Sequence, residues 1–283
     1  RPEPDPARLG TVGLIDETSV VKKGDKTPGV QRQYLGCVGE VGNGIVTVHL
    51  GACRGDRKVL LDADLDLPRS WAADRPRCRA AGVPDDKRHE AKWKVAVWQW
   101  VRARRDRVGF DGLTFDEGYG AVPAFRWVLD RGGQAYVGEV PVTYRVGGRR
   151  VEAREALKPT ARKGWGRVVV RQATGGVVVW RYRACEAFAA RHRQRLVVAV
   201  NAATGEVKYF ATDDRRRSAR TVFRAAFRRA VVEHLFRVAK QEVGLTRFEG
   251  RDYRALMRHL TLALVVLGFV SVHAAGLRKK VPG

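Results

Sequence analysis

Short apolar runs separated by glycine-rich polar breaks occupy the first half of the chain, a pattern typical of β-strands joined by turns. Five such runs occur before residue 146: TVGLI (11–15), RQYLGCVG (32–39), GIVTVHLGA (44–52), GLTFD (112–116) and QAYVGEV (134–140). Two of these predicted strands end at an aspartate, the first at Asp16 and the fourth at Asp116. Both aspartates are candidate site residues, because ligands of open α/β sheets bind beyond the carboxyl ends of the strands.

Apolar residues spaced three and four apart predict helices between and after these strands. The segments with this spacing are RHEAKWKVAVWQWVRARR (88–105), PAFRWVLDRG closed by Gly132, and the stretch from Ser218 to about Val243 with Gly244 as its C-cap. Residues 54–87 are charged and predict an irregular connection. The order of strands and helices predicts an α/β fold in which helices pack on a mixed sheet.

Residues 146–213 have a different pattern, in which Gly, Val and Arg alternate and Ala203–Gly205 fits a hairpin turn. We interpret this stretch as a β-rich insertion. The chain then divides into a first part of the core (1–145), the insertion (146–213) and the C-terminal helices (214–283).

The most apolar stretch is LTLALVVLGFVSVHAAGL, residues 260–277, which is long enough to suggest a membrane span. It also contains Ser271 and His273, and no other part of the sequence has a membrane-like composition. We therefore predict a buried C-terminal core helix and no membrane partner.

The net charge of the chain limits the classes of function that the sequence is compatible with. Lys and Arg total 54 against 30 Asp and Glu, a formal net charge of +24, while a hydrophobic content of 45% is enough for a core and excludes a disordered basic tail. Folded proteins with this excess of positive charge most often bind nucleic acid.

The four cysteines form no C-x-x-C pair, which argues against a zinc finger. No signal peptide is evident, and the sequence therefore predicts a cytoplasmic protein.

The helix RRAVVEHLFRVAK (228–240) is strongly basic and holds one acidic residue, Glu233. At about 100° per residue its apolar stripe consists of Phe227, Val231, Leu235 and Val238. On the opposite side Glu233 lies in a row with Arg229 and Lys240. This row is either a set of ion pairs on a solvated face or part of a functional site.

The second interpretation joins Glu233 to the two strand-end aspartates. If the first and fourth strands are parallel neighbours, Asp16 and Asp116 converge, and such close carboxylates repel unless a cation lies between them. Oxygen ligands without His or Cys favour Mg²⁺ or Mn²⁺, and two such ions catalyse phosphodiester cleavage. The alternative for Asp16 is a turn-capping role before Thr18, and the alternative for Asp116 is the start of a loop before Glu117-Gly118.

Four stretches, in this order, carry a family resemblance: LIDETSVVKKGDKTPGVQRQYLGCVGEVGN (14–43), LPRSWAADRPRCRAAGVP (67–84), FDEGYG (115–120) and RRAVVEHLFRVAKQEVGLTRFEGRDYRALMRHLTL (228–262). Together they resemble the motifs of bacterial insertion-sequence transposases of the DDE class, in the subgroup with a β-rich insertion before the catalytic Glu. The resemblance implies an RNase H-like catalytic fold. It also implies metal-dependent cleavage of DNA at the element ends, followed by strand transfer to target DNA.

The resemblance assigns roles to single residues. Asp16, Asp116 and Glu233 match the three catalytic acids, which implies that they hold two Mg²⁺ or Mn²⁺ ions. Arg229 and Lys240 match the Arg and Lys of the signature Y-(2)-R-(3)-E-(6)-K, which contact DNA near the cleaved end, while Ala226 stands at the Tyr position.

Further DNA contacts are expected from four other cations. Arg237 and Arg247 flank the Glu233 helix, and Lys22 and Lys23 belong to the K-x-G motif. The implied partners are double-stranded DNA, both as transposon ends and as target, and a second copy of the chain in a homodimeric complex on the bacterial nucleoid.

Several positions depart from the family pattern. Glu40 replaces a usual Lys, Asn43-Gly44-Ile45 replaces Asn-Cys-Gln, and Ala211-Thr212-Asp213 replaces Leu-Ser-Asn. These departures indicate a divergent copy and leave two alternatives open. One is a catalytically decayed, transposase-derived DNA-binding protein, and the other is a general metal-dependent nuclease with the same fold.

Overall fold

The computed structural model describes residues 9–147, 151–160, 163–171, 176–189 and 192–278. Its strands are β1 Val12–Val21, β2 Gln31–Leu35, β3 Glu40–Arg54, β4 Arg57–Leu65, β5 Gly112–Phe115, β6 Tyr136–Val140, β7 Arg145–Val146, β8 Val151–Glu152, β9 Gly166–Arg171, β10 Val177–Ala189, β11 His192–Asn201 and β12 Val207–Thr212. Its helices are α1 Arg69–Ala73, α2 Arg75–Ala80, α3 Lys92–Arg105, α4 Glu117–Gly120, α5 Pro123–Arg131, α6 Ala153–Ala156, α7 Ala219–Ala226, α8 Ala230–Gln241 and α9 Tyr253–Arg278.

Residue contacts group the chain into two compact units. The first unit is drawn from Arg1–Leu14, Cys53–Gly55 and Gly109–Val232, and the second from Ile15–Ala52, Asp56–Val108 and Glu233–Gly283. These units do not test the three consecutive segments expected from the sequence, which remain a prediction.

The first unit contains an extended run of the sheet, in the order β1-β5-β6-β12-β11-β10-β9. β5 and β6 are parallel, and every later pair in this run is antiparallel. Side chains alternate between the two faces of such strands. Helix α7 covers one face with a core around Trp180, Phe210 and Phe223, and the other face packs against Tyr144 and Leu157.

The second unit is built on the strand order β2-β3-β1, with β4 also paired to β3. Strand β3 is buried without interruption over residues 44–52, as expected for a strand covered on both faces. The fold is mixed α/β, with a large mixed sheet flanked by helices, consistent with an RNase H-like fold. The predicted fold class is confirmed.

Several predicted elements agree with the structure and others do not. Strands β5 and β6 and helix α5, closed by Gly132, are confirmed. The expected hairpin turn is also present, since Gly205 has a φ of 75° and joins β11 to β12. The predicted irregular connection 54–87 is wrong, because it contains β4, α1 and α2.

The single helix predicted from Ser218 to about Val243 is also wrong. A 3-10 turn at Phe227–Arg229 separates α7 from α8. This break changes which side of α8 is buried. Val232, Leu235, Phe236 and Ala239 form its buried face, so the apolar stripe predicted from Phe227 is displaced.

The C-terminal helix is not the buried core helix that the sequence predicted. Helix α9 contacts β4, and its buried side includes Leu256, Leu260 and Leu267. Its other side exposes a ridge of large apolar residues: Leu262, Val265, Val266, Phe269, Val270 and Val272. By length and composition Tyr253–His273 could cross a membrane, and 22% of its most apolar window is buried. The absence of a membrane partner therefore stays a prediction.

Candidate active site

Two of the predicted catalytic acids line one cavity. This cavity has a volume of about 500 Å³ and lies within the second unit, between β1 and α8. Asp16 and Glu233 both contribute to its wall, together with the predicted DNA contacts Arg237 and Lys240. The structure therefore brings together four of the residues that the sequence selected.

Asp16 lies inside β1 and not at its end. The strand continues to Val21, because the following residues include the β-branched Thr18, Val20 and Val21, which favour extended backbone. The prediction that the first strand stops at Asp16 is therefore wrong. The Asp16 side chain is buried at the cavity wall, and its Oδ1 accepts a hydrogen bond of 2.8 Å from the backbone N–H of Glu17.

Glu233 reaches the cavity from the first turn of α8 and is exposed. Leu235 and Ala239 of the same helix are buried, and Phe236, also buried, lines the cavity beside Glu233. Because residues three and four apart share a helix face, Arg237 and Lys240 lie on the same side of α8 as Glu233 and line the same cavity.

Lys240 carries its charge in a partly buried position. Burial lowers the pKa of its ammonium group, while Cys37 and Asp16 act in the opposite direction. Asp16 is thus near enough to interact electrostatically with Lys240. A cation in such a position can bind a phosphate oxygen through a charge-assisted hydrogen bond.

His49 lies under α8 and was not selected from the sequence. Its ring is fully buried, contacts the Phe236 ring edge-on at 5.0 Å, and has Nε2 at 2.7 Å from the Thr47 hydroxyl. Burial, with a smaller contribution from Lys240, lowers its pKa to about 3, so the imidazole is neutral. The only sequence signal for it was a histidine within the apolar strand GIVTVHLGA.

An ion pair forms a second feature of this wall that sequence analysis missed. Lys92 Nζ lies 2.8 Å from Glu17 Oε1, and both side chains are partly exposed. Burial raises the pKa of the neighbouring Asp66, against the opposing charge of Lys92. Glu17 directly follows Asp16, so this pair places a cation next to the candidate catalytic residue.

Asp116 lies in the first unit, directly after β5, as the sequence predicted. Its side chain is the N-cap of α4, where Oδ1 accepts a hydrogen bond of 3.2 Å from the backbone N–H of Tyr119. Asp116 therefore starts a helix and not the loop that was the alternative for it, and this capping role leaves the second carboxylate oxygen available for other contacts.

The remaining predicted DNA contacts have different environments. Lys23 and Arg247 are exposed, and Arg229 is partly buried. Lys22 is buried, and its ammonium group donates to the carbonyl oxygen of Phe248. Because its charge does not reach the surface, we remove Lys22 from the set of DNA contacts.

The donor chemistry of the cavity suits a hard divalent cation. Asp16 and Glu233 offer carboxylate oxygens, the ligand type that Mg²⁺ and Mn²⁺ prefer. Within the described part of the chain, no group of three or more His, Cys, Asp or Glu side chains is arranged to hold a metal ion. The cavity alone thus supplies two carboxylates of the predicted three.

Comparison with protein families gives an independent result. Residues 2–195 match the model of a family described as DDE superfamily endonuclease. The match includes Asp16 and Asp116 and ends before Glu233. Among curated proteins, none matches the chain.

Proposed function

Because the chain belongs to the DDE superfamily endonucleases, we propose that it is the catalytic region of a bacterial insertion-sequence transposase. The family implies a DNA substrate and a general dependence on divalent metal ions. The proposed reaction cuts DNA at the element ends and then joins the freed 3′-hydroxyl to target DNA. In each step an oxygen nucleophile attacks phosphorus, a new P–O bond forms, and the bond to the leaving oxygen breaks.

One observation carries this proposal: Asp16 and Glu233 line the same cavity as Arg237 and Lys240. Carboxylates and cations within one cavity combine metal ligands with phosphate contacts, as phosphoryl-transfer sites require. In the proposed site Asp16, Asp116 and Glu233 would hold two Mg²⁺ or Mn²⁺ ions. Bound metal would activate the attacking water and neutralise charge on the leaving oxygen.

The other residues have binding and positioning roles in this proposal. Arg237 and Lys240 bind phosphate oxygens, and Arg229, Arg247 and Lys23 contact the flanking backbone. The neutral ring of His49 supports Phe236, which lies one turn before Lys240 on α8. We further propose that two copies of the chain act together on paired element ends.

A second candidate is a catalytically decayed DNA-binding protein of the same origin. The lack of a three-residue metal cluster among the described residues favours it. The basic charge of +24 would serve either candidate, so the two differ only in metal chemistry.

Nicking of supercoiled plasmid DNA in Mn²⁺ tests the proposal without knowledge of the element ends. We expect Asp116→Asn to lower nicking at least about hundredfold, the order of effect seen when one group that stabilises transition-state charge is lost. Asparagine is also a good N-cap, so α4 should remain folded. DNA affinity should stay equal or rise slightly, because a negative charge near phosphate is removed.

Glu117→Gln is the matched control, since Glu117 is exposed in the first turn of the same helix and loses the same charge. It should nick like the parent protein. Equal nicking by Asp116→Asn and the parent would remove Asp116 from the active site. A parent protein that binds DNA but never nicks it, and that shows no anomalous Mn²⁺ peak beside Asp16 in soaked crystals, would establish the decayed alternative.

A further inference from the structure

A second cavity, of about 540 Å³, lies in the first unit on the sheet formed by β9, β10 and β11. Arg167 and Arg181 contribute the charged part of its wall, and Val177 and Val179 contribute apolar parts. No acidic residue is among the described residues that line it. The cavity is therefore positively charged and has no internal counter-charge.

The two arginines face each other across neighbouring strands. Arg167 and Arg181 are direct partners in the antiparallel register of β9 and β10. Alternation places Trp180, between Val179 and Arg181, on the opposite face, where it packs in the core under α7. Arg167 and Arg181 therefore lie on the other face of the β9–β10 pair, and both are exposed.

Arg183 extends this row. It lies two residues beyond Arg181 on β10, a separation of about 6.6 Å on the same face of a strand. The backbone at Gly164 leaves room for it, because a Cβ there would lie 3.3 Å from the Arg183 Nε atom. We call Arg167, Arg181 and Arg183 the arginine face.

Like charges directly opposite each other destabilise a pair of strands. Among the described residues, no carboxylate forms an ion pair with any member of the arginine face. The arrangement thus has a cost in the isolated chain. A bound anion between the side chains would remove that cost.

The Trp165 ring orders one of these cations. The guanidinium carbon of Arg181 lies 5.2 Å from the centre of the Trp165 ring, within the range of a cation–π interaction. Trp165 itself packs against the core around Tyr144 and Leu157. An arginine held against a fixed aromatic ring loses less side-chain entropy when it binds an anion.

We propose that the arginine face binds the phosphate backbone of double-stranded DNA, as a contact surface additional to the cavity of Asp16 and Glu233. This inference rests on the proposed function, because it takes DNA as the polyanion. A row of cations along one strand fits a linear series of phosphates better than a single small anion. Arginine also binds phosphate through two parallel hydrogen bonds.

The test compares DNA binding by paired variants of equal charge. Arg167→Gln/Arg181→Gln removes the opposed pair, and Arg131→Gln/Arg145→Gln removes two exposed arginines of the first unit outside the face. Fluorescence anisotropy with a 30-base-pair duplex in EDTA, from about 50 to 200 mM salt, gives the slope of log K against log salt. We expect the first variant to reduce the steepness of that slope by about 2, about 1 per phosphate contact, and the control to leave it nearly unchanged.

Arg167→Lys/Arg181→Lys keeps both charges and should retain most of the parental slope, which separates lost contacts from misfolding. If Arg167→Gln/Arg181→Gln binds like the control variant while the parent binds DNA, the inference is wrong and the proposed function is untouched. If the parent shows no salt-dependent DNA binding, the proposed function fails, and the inference fails with it.

Discussion

Asp213 carries a carboxylate where its charge is disfavoured. Burial raises its pKa to about 6, although its Oδ1 accepts a hydrogen bond of 2.9 Å from the backbone N–H of Tyr136. A raised pKa in the folded state means that ionisation destabilises the protein: the stabilising effect of the neutral form is complete below the unfolded value near 4 and is lost as pH rises through about 6.

We therefore expect Asp213→Asn to increase the free energy of unfolding at pH 8 by roughly 1–3 kcal/mol. The amide oxygen can still accept from Tyr136, while no charge is buried. The gain should shrink between pH 6 and 4, as measured by urea unfolding at each pH. A constant gain across this range would show that ionisation of Asp213 is not the cause.

Asp214 is the matched control for this experiment. Burial alone would raise its pKa, but hydrogen bonds from the backbone and guanidinium of Arg217 lower it below the usual value. Its ionised form therefore stabilises the fold, and Asp214→Asn should destabilise the protein at pH 8. The two neighbouring aspartates thus have opposite expected effects.

Single residues differed in how well the sequence revealed them. Asp116 was found because a short apolar run and a following acidic helix start mark the end of a strand. The extension of β1 past Asp16 was missed, because Thr18 and Ser19 are polar residues that tertiary contacts bury. His49 was missed because nothing in the pattern distinguishes a buried histidine that supports a site from one that only fills the core.

At the scale of elements, Lys22 joins the end of β1 to the loop between α8 and α9. Its ammonium group donates to the carbonyl of Phe248 and lies 3.4 Å from a carboxylate oxygen of Glu249. We expect Lys22→Met to lower the free energy of unfolding by about 2 kcal/mol, because it leaves the Phe248 carbonyl without its charged donor.

Lys23→Met provides the comparison, since the adjacent lysine is exposed and should change stability by no more than about 0.5 kcal/mol. Denaturant unfolding of both variants separates the two environments. Equal stability of the two would mean that the Lys22 contact contributes nothing.

Elements were predicted well where turn residues gave a local signal. Helix α5 has Pro123 at its start and Gly132 at its end, and both boundaries were found. The break at Phe227–Arg229 had no such signal, because no glycine or proline lies between Ala219 and Gln241. The strand β4 was missed because Asp62 and Asp64 interrupt its apolar alternation, and the sequence does not show that both aspartates pair with Arg102 from α3.

At the scale of the whole molecule, the net charge of +24 should dominate DNA binding. Each phosphate contact releases condensed counterions, so affinity for duplex DNA should fall about 10³-fold or more between 50 and 200 mM salt if six or more contacts form. Titration of a labelled duplex over this range measures the effect. A flat response would contradict binding dominated by phosphate contacts.

The class of protein could be predicted from the net charge and from the order of the motifs, because neither depends on the exact boundaries of the strands and helices. The exposure of α9 to solvent could not be predicted. An apolar run indicates that burial of the helix is favourable, but it does not show whether a neighbouring element covers the helix.

The exposed apolar ridge on α9 should respond to salt in the opposite direction to the DNA-binding surface. Chloride salts screen the arginines and lysines and so weaken contacts with phosphate. Sulfate salts screen them as well, but they also strengthen the attraction between apolar surfaces. The identity of the anion, and not only its concentration, therefore determines whether the charged surfaces or the apolar ridge dominates the contacts of this protein in solution.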